Sequence, residues 1–465
     1  MKIVTHKTET IRGEATPPAS KSETIRGLVF GTLAKGTSAL RNPLQSQDTV
    51  DAIRACRALG ADITVRQDRI VIESEGVPLR SDTVVTTGDS GVTTHFLMPV
   101  MGLRGPKAEP VTFDCGAQMK QRPVESLVSA LRNLGLRVKS QHKNAHCPLQ
   151  VSGELRGGRT SVDGKSSQYL SSLLISLPCA ANDSVVMVEH LEERPYVEMT
   201  EEWLREQGIV YEHTQKGELD SSLSLRLLRR GNDRKGNGND KEENNEKENG
   251  ERGSRDVYTI QGRQSYKPFT KTIPGDFSSA SYLIAAGVLF SGEVVLHGLN
   301  MNDPQGDKAL VPILREMGAD IQEKDGGLTI KGGKPLKGIR IDCNAIPDLV
   351  PTLAVIGTQA KGETMLYNVG QARIKETDRL HSMTEGLTKM GGKVIEGKDS
   401  LTVHGGKLYG TSVHGYSDHR TVMALSLAGM LASGETFIDT AEAVRKTFPD
   451  FVKVVKSLGG KINMR

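Results

Sequence analysis

The chain has 465 residues, 37% hydrophobic and 25% charged, with five cysteines and a formal net charge of +4. That length exceeds what one core usually organises, so two or more domains are expected, and no run approaches the ~20 apolar residues that span a bilayer. Five scattered cysteines, odd in number and without a CxxC pair, argue against a disulfide framework and a zinc site, and a charge this close to balance does not decide between nucleic acid and a small anion.

In chain order, the N-terminus MKIVTHKTETIRGEA begins with a strand and lacks an apolar h-region, so a cytoplasmic protein is expected. Beyond it two signatures alternate. The first is a polar cap followed by an apolar helix: PASKSETIRGLVFGTLA, TGDSGVTTHFLMPVMGL, VDGKSSQYLSSLLISLP, PGDFSSASYLIAAGVLF, IPDLVPTLAVIGTQA and YSDHRTVMALSLAGML. Ser and Asp oxygens accept the free N–H groups of a first helical turn, so these segments read as N-capped, buried helices. The second is an amphipathic helix ending in Gly and then a strand: RALGADITV, RNLGLRVKS, REQGIVYEH, REMGADIQE, TKMGGKVIE and KSLGGKINM. Its glycines, Gly60, Gly135, Gly208, Gly318, Gly391 and Gly459, recur about every 70 to 75 residues except across one longer gap. Glycine there supplies the left-handed C′ conformation.

The longer gap holds residues 229–256, RRGNDRKGNGNDKEENNEKENGERGSRD, which contain no aliphatic or aromatic side chain. Such a segment cannot offset its ordering entropy and reads as a disordered insert. Its eight basic and eight acidic residues cancel, which argues against a nucleic-acid-binding arm. Six units in two groups of three predict two α/β lobes with a cleft between them, with crossings near PASKS and KTIPGDFSS. If the buried helices aim their N-termini at one place, their dipoles favour anions there.

Charged stretches cluster at those helix starts. SKSETIR places Lys21, Ser22 and Arg26 on the first buried helix, MKQRP places Arg122 in a loop, and IKETDRL is expected to begin an amphipathic helix with Lys375, Glu376 and Arg379. SDHR and RKTFPD add His419, Arg420 and Lys446. Taken singly, each reads as surface charge or a cap. Together they suit a cleft that grips phosphates or carboxylates, with Asp348, Glu376 and His419 as candidate proton-transfer groups. GxxxxGK[ST], GxGxxG after a strand and clustered metal ligands are all missing, so metal-free phosphate binding is expected.

The ordered set SKSETIR, GDSGVTTHF, MKQRP, DGKSSQYL, RPY, GDFSSASYL, IPD, IKETDRL, SDHR and RKTFPD resembles the 5-enolpyruvylshikimate-3-phosphate synthases over nearly the whole chain outside the insert. The resemblance implies a two-lobed inside-out α/β barrel of six βαβαββ-type units. Residues 17–272 would form one lobe, and 1–16 with 273–465 the other. It implies transfer of the enolpyruvyl group of phosphoenolpyruvate to the 5-hydroxyl of shikimate 3-phosphate, through a tetrahedral adduct and with release of phosphate. No cofactor, metal, nucleic acid or membrane partner is implied, and a monomer is expected. By matched positions, Lys21, Ser22, Arg26, Ser166, Ser167, Gln168, Tyr196, Asp348 and Lys375 would hold shikimate 3-phosphate. Lys21, Gly91, Arg122, Gln168, Arg379, Arg420 and Lys446 would hold phosphoenolpyruvate. Asp348 would take the hydroxyl proton, while Glu376 with Lys21 would serve the methylene carbon.

Four positions depart from the family pattern. His95 stands for Arg, Asp89 for Asn, Glu193 for Ser and Gln371 for Asn; the two acidic changes would weaken anion binding unless they point away or pair locally. Two other readings compete. One is the sister transferase acting on UDP-N-acetylglucosamine, whose family has Lys-Asn where this chain has Lys21-Ser22 and a loop cysteine where it has Ala117. The other is a non-catalytic relative that keeps the fold to bind a metabolite or protein.

Overall fold

The computed structural model describes residues 1–140, 146–215, 255–324 and 326–465. Most of the expected insert lies outside these residues, but its final two residues do not belong to an insert. Arg255 and Asp256 open the strand Arg255–Ile260, where Asp256 is buried and bonded to Arg194 and His213. A charge-rich sequence hid that strand start, because the alternation Val257, Tyr258, Ile260 begins only after it.

The fold is mixed α/β. Among the described residues, six four-stranded sheets share one pairing order. Val84–Thr86, for example, runs parallel to Val111–Asp114, which pairs antiparallel with Leu149–Gly153, which pairs antiparallel with Leu136–Ser140. The parallel step needs a crossover, and the apolar helix Gly91–Val100 supplies it. Three sheets are completed from a distance. Thr270–Thr272 lies parallel to Gly36–Arg41, Gly13–Ala15 lies parallel to Glu293–His297, and Ile3–His6 sits between Glu435–Ile438 and Ile462–Met464.

Each of these sheets is associated with one buried helix: Lys21–Leu33, Gly91–Val100, Ser167–Ser176, Phe277–Leu289, Val350–Gly357 and His419–Leu431. Four start as expected, with Ser20, Ser90, Asp276 and Asp418 accepting first-turn N–H groups. All six signature glycines take positive φ, between 69° at Gly208 and 108° at Gly318. The IKETDRL expectation needs correction, since the helix is Arg379–Lys389 with Asp378 as its cap. Lys375 and Glu376 lie in the loop before it, free to face away from the helix surface.

Buried apolar side chains form two clusters. One extends from Ala19 to Ile273, while the other takes Ile3 and Ile11 together with Phe277 to Ile462. The chain passes between them twice, side by side: Ser20 N–H donates to Pro274 O at 2.8 Å, and Asp276 N–H donates to Pro18 O at 2.8 Å.

Candidate active site

One cavity lies where starts of buried helices from both clusters converge. Its walls carry Lys21, Ser22 and Arg26 from one helix, Gly91, Val92 and Phe96 from a second, Ser167 and Gln168 from a third, and His419 and Arg420 from a fourth. Arg122, Glu193, Tyr196, Asp348, Lys375, Glu376 and Arg379 complete it. Of the residues expected from sequence, Ser166 instead lines an adjoining pocket with Gln168 and Lys375, and Lys446 stands outside the walls, donating to Gln118 Oε1. Six cations, Lys21, Arg26, Arg122, Lys375, Arg379 and Arg420, face three carboxylates, Glu193, Asp348 and Glu376. The surplus favours an anion.

Arg379 organises the centre. Fully buried, it donates from NH1 to Asp348 Oδ1 at 2.6 Å, from NH2 to Glu376 Oε2 at 2.6 Å, and from Nε to Asp418 Oδ2 at 2.8 Å. Arg420 NH2 reaches the other Asp348 oxygen at 2.5 Å, and Arg122 NH2 reaches Glu376 at 3.2 Å. Burial works to raise the Asp348 carboxyl, but Arg420, Arg379 and Lys375 outweigh it and hold the group well below the usual carboxylate range. Glu376 is likewise pulled down against burial by Arg122 and Arg379. Both are carboxylates at neutral pH. Tyr196 donates its hydroxyl to Asp348 Oδ2 at 3.0 Å, and burial, then Asp307 and Asp348, keep it a phenol.

Gly91 explains itself by contact. A Cβ there would sit 2.5 Å from Arg122 NH1, so only glycine lets that guanidinium lie against the first turn of its helix. Lys21 is positioned by Asp48 at 3.1 Å. Arg26 donates to Thr200 Oγ1, Ser22 O and Tyr196 O and stacks over Phe96, and burial pushes it down to about 10. His419 is 1% exposed; burial and then Arg420 hold its imidazole well below the usual range, so it is neutral.

The departures resolve individually. Asp89 turns away from the cavity and accepts from the backbone of Gln118 at 2.9 Å and Met119 at 3.2 Å. His95 Nδ1 lies 2.6 Å from Gln168 Oε1, and burial pushes the imidazole down to about 4, so it supplies no positive charge. Gln371 donates to Asn344 O at 2.8 Å. Glu193 does the opposite of Asp89 and faces the cavity, where it pairs with Lys375.

Sequence reasoning missed the apolar wall of Val92 and Phe96, whose spacing looked like core. It also missed Gln118. That side chain donates to Glu376 O at 2.9 Å and accepts from Lys446, tying segments far apart in sequence. No motif marks a glutamine whose partners are one distant backbone carbonyl and one distant lysine.

Comparison with known proteins adds to this geometry. A family model described as EPSP synthase (3-phosphoshikimate 1-carboxyvinyltransferase) matches residues 5–220 and 250–455. A 3-phosphoshikimate 1-carboxyvinyltransferase from Acetivibrio thermocellus is 42% identical over 452 residues, covering 97% of each chain. One of the same name from Ruminiclostridium cellulolyticum is 41% identical over 456 residues, covering 98% of each. Among solved structures, an EPSP synthase from Acinetobacter baumannii superposes with a TM-score of 0.76 at 23% identity, covering 99% of each chain.

Proposed function

The chain belongs to the EPSP synthase family and transfers the enolpyruvyl group of phosphoenolpyruvate to shikimate 3-phosphate in aromatic amino acid biosynthesis; we propose that the cavity built around Arg379 divides that work as follows. Ser166, Ser167, Gln168 and Lys375 hold the phosphate of shikimate 3-phosphate at a helix N-terminus. Ser22, Arg26, Tyr196 and Asp348 hold its ring and hydroxyls. Lys21, Gly91, Arg122, Gln168, Arg379, Arg420 and Lys446 grip the carboxylate and phosphate of phosphoenolpyruvate, the arginines as planar forks and the lysines as point charges.

Asp348, ionised, accepts the proton of the attacking 5-hydroxyl. Glu376 serves the methylene carbon, with Lys21 nearby and the neutral His419 beside it. Glu376 needs a proton for that step, and the substrate helps supply the condition. Once phosphate and carboxylate groups occupy Arg122 and Arg379, the cations that hold Glu376 down are shared with new anions, and its affinity for a proton rises. The proton added to the methylene makes the adjacent carbon electrophilic for the hydroxyl oxygen. Reversal of that proton transfer then expels phosphate from the tetrahedral adduct.

The observation that carries this reading is a single guanidinium bonded at 2.6 Å to both Asp348 and Glu376, so that the acceptor's base and the donor's acid share one rigid mount. The matching pairing order of the sheets and the two apolar clusters support an inside-out α/β barrel with lobes at 17–272 and at 1–16 with 273–465. A cytoplasmic monomer is the working unit of this reading. Among the described residues no helix is long and apolar enough to cross a membrane.

The test is phosphate release from phosphoenolpyruvate with each acceptor in turn. Release with shikimate 3-phosphate alone is expected. Release with UDP-N-acetylglucosamine would assign the sister reaction, and release with neither would make the chain a non-catalytic relative.

A further inference from the structure

Glu193 is the charged residue of the cavity wall to which the reaction gives no role. It is 1% exposed. One carboxylate oxygen pairs with Lys375 Nζ, and the other accepts from Ser167 Oγ at 2.8 Å. These are two groups assigned above to the phosphate of shikimate 3-phosphate. The backbone is built to aim it there. Glu193 sits in the left-handed region at φ 54° just before the helix Arg194–Glu206, yet its side chain makes no capping bond to that helix and instead turns across the cavity. The helix start is fixed in turn by Arg194, which donates to Asp256 at 3.0 Å.

We propose that Glu193 is a built-in anion in the phosphate seat, a specificity-determining residue that competes with the substrate for Lys375 and Ser167. This inference rests on the reading of the site given above. A phosphate entering the seat has to displace the carboxylate from its lysine or share the lysine with it at close range, and like charges at such range repel strongly in a buried site. Glu193 therefore holds down affinity for shikimate 3-phosphate. It also narrows the preference for that compound over shikimate, which lacks the phosphate and leaves the Glu193–Lys375 pair intact. The two bonds of Glu193 go to Lys375 and Ser167, neither of which is assigned to phosphoenolpyruvate, so that side keeps its contacts.

The experiment is calorimetric titration of the full chain and its Glu193→Ser and Glu193→Gln variants with shikimate 3-phosphate, shikimate and phosphoenolpyruvate. Both variants are expected to bind shikimate 3-phosphate at least about tenfold more tightly than the unaltered protein, with shikimate and phosphoenolpyruvate changed by less than about twofold. The amide variant keeps shape and hydrogen bonding, so it decides the matter if the serine variant folds poorly. Unchanged or weaker binding of shikimate 3-phosphate by a folded Glu193→Gln protein would overturn the proposal. Inorganic phosphate is the second probe. If the unaltered protein takes no shikimate 3-phosphate at all, the assigned substrate fails; tighter binding of inorganic phosphate by Glu193→Gln would still uphold the seat, and equal binding would overturn it.

Discussion

Arg379 and Glu23 are two buried charges with opposite consequences. Arg379 answers three carboxylates with three different nitrogens, a geometry that an ammonium cannot copy. Arg379→Lys is expected to lower kcat/KM by at least about a thousandfold and stability by about 3 kcal/mol, the scale for disrupting a buried ion pair, as read from steady-state kinetics and urea unfolding. Glu23, behind Arg26, accepts from Trp203 Nε1 at 2.5 Å, and burial pushes its carboxyl up from 4.5 to about 7 despite Arg26 and Lys271. The folded protein thus binds this proton more tightly than the unfolded chain does. Stability falls as pH rises through that window and is unaffected below it. Glu23→Gln keeps the acceptor for Trp203 and has no proton to lose. It is expected to raise stability at pH 8 by up to about 3 kcal/mol and to change it little at pH 4, measured by urea unfolding at both values.

Among the elements, the caps test how local the fold's instructions are. Ser90 Oγ accepts from Thr93 N–H at 3.4 Å, so Ser90→Ala should cost about 1 kcal/mol in unfolding free energy, and a cost near zero would mean the helix start is held by packing alone. Where capping residues cap, the sequence was readable, as at Ser20, Ser90, Asp276 and Asp418. It misled where the site had another use for them. Asp348 looks like a cap, yet it sits in a short 3-10 turn ahead of its helix with its oxygens taken by Arg379, Arg420 and Tyr196. Ser166 stands at a cap position without a capping bond and lines a pocket. The glycine signature was reliable because positive φ is a backbone requirement with few substitutes. The helix at IKETDRL starts late because Asp378 caps it, a choice between Glu376 and Asp378, two residues apart, that composition does not decide. Glu193 and Gln118 show the limit of such reading, since their partners lie 182 and 328 positions away, at Lys375 and Lys446.

For the whole molecule, the two apolar clusters are joined by paired crossovers at 16–20 and 273–276 and by polar contacts across the cleft: Tyr196 with Asp348, Lys375 with Glu193, Arg122 with Glu376, and Gln118 with Lys446. Polar contacts of this kind exchange readily for ligand contacts, and each side brings cations that an anion between them would satisfy. Shikimate 3-phosphate is therefore expected to favour the closed arrangement, seen as a smaller radius of gyration in solution scattering, with phosphoenolpyruvate adding to the effect. Scattering profiles identical with and without saturating ligands would rule out that hinge. The central claim is that both substrates meet around Arg379 and react by addition before phosphate leaves. A single turnover with excess protein, shikimate 3-phosphate and phosphoenolpyruvate labelled with carbon-13 at C2 tests it, quenched at intervals and read by NMR. The account predicts a transient tetrahedral carbon bonded to both the phosphate and the 5-oxygen, decaying into the enol ether as phosphate appears. Phosphate released before any such carbon forms, or a label attached to the protein instead of the acceptor, would contradict it.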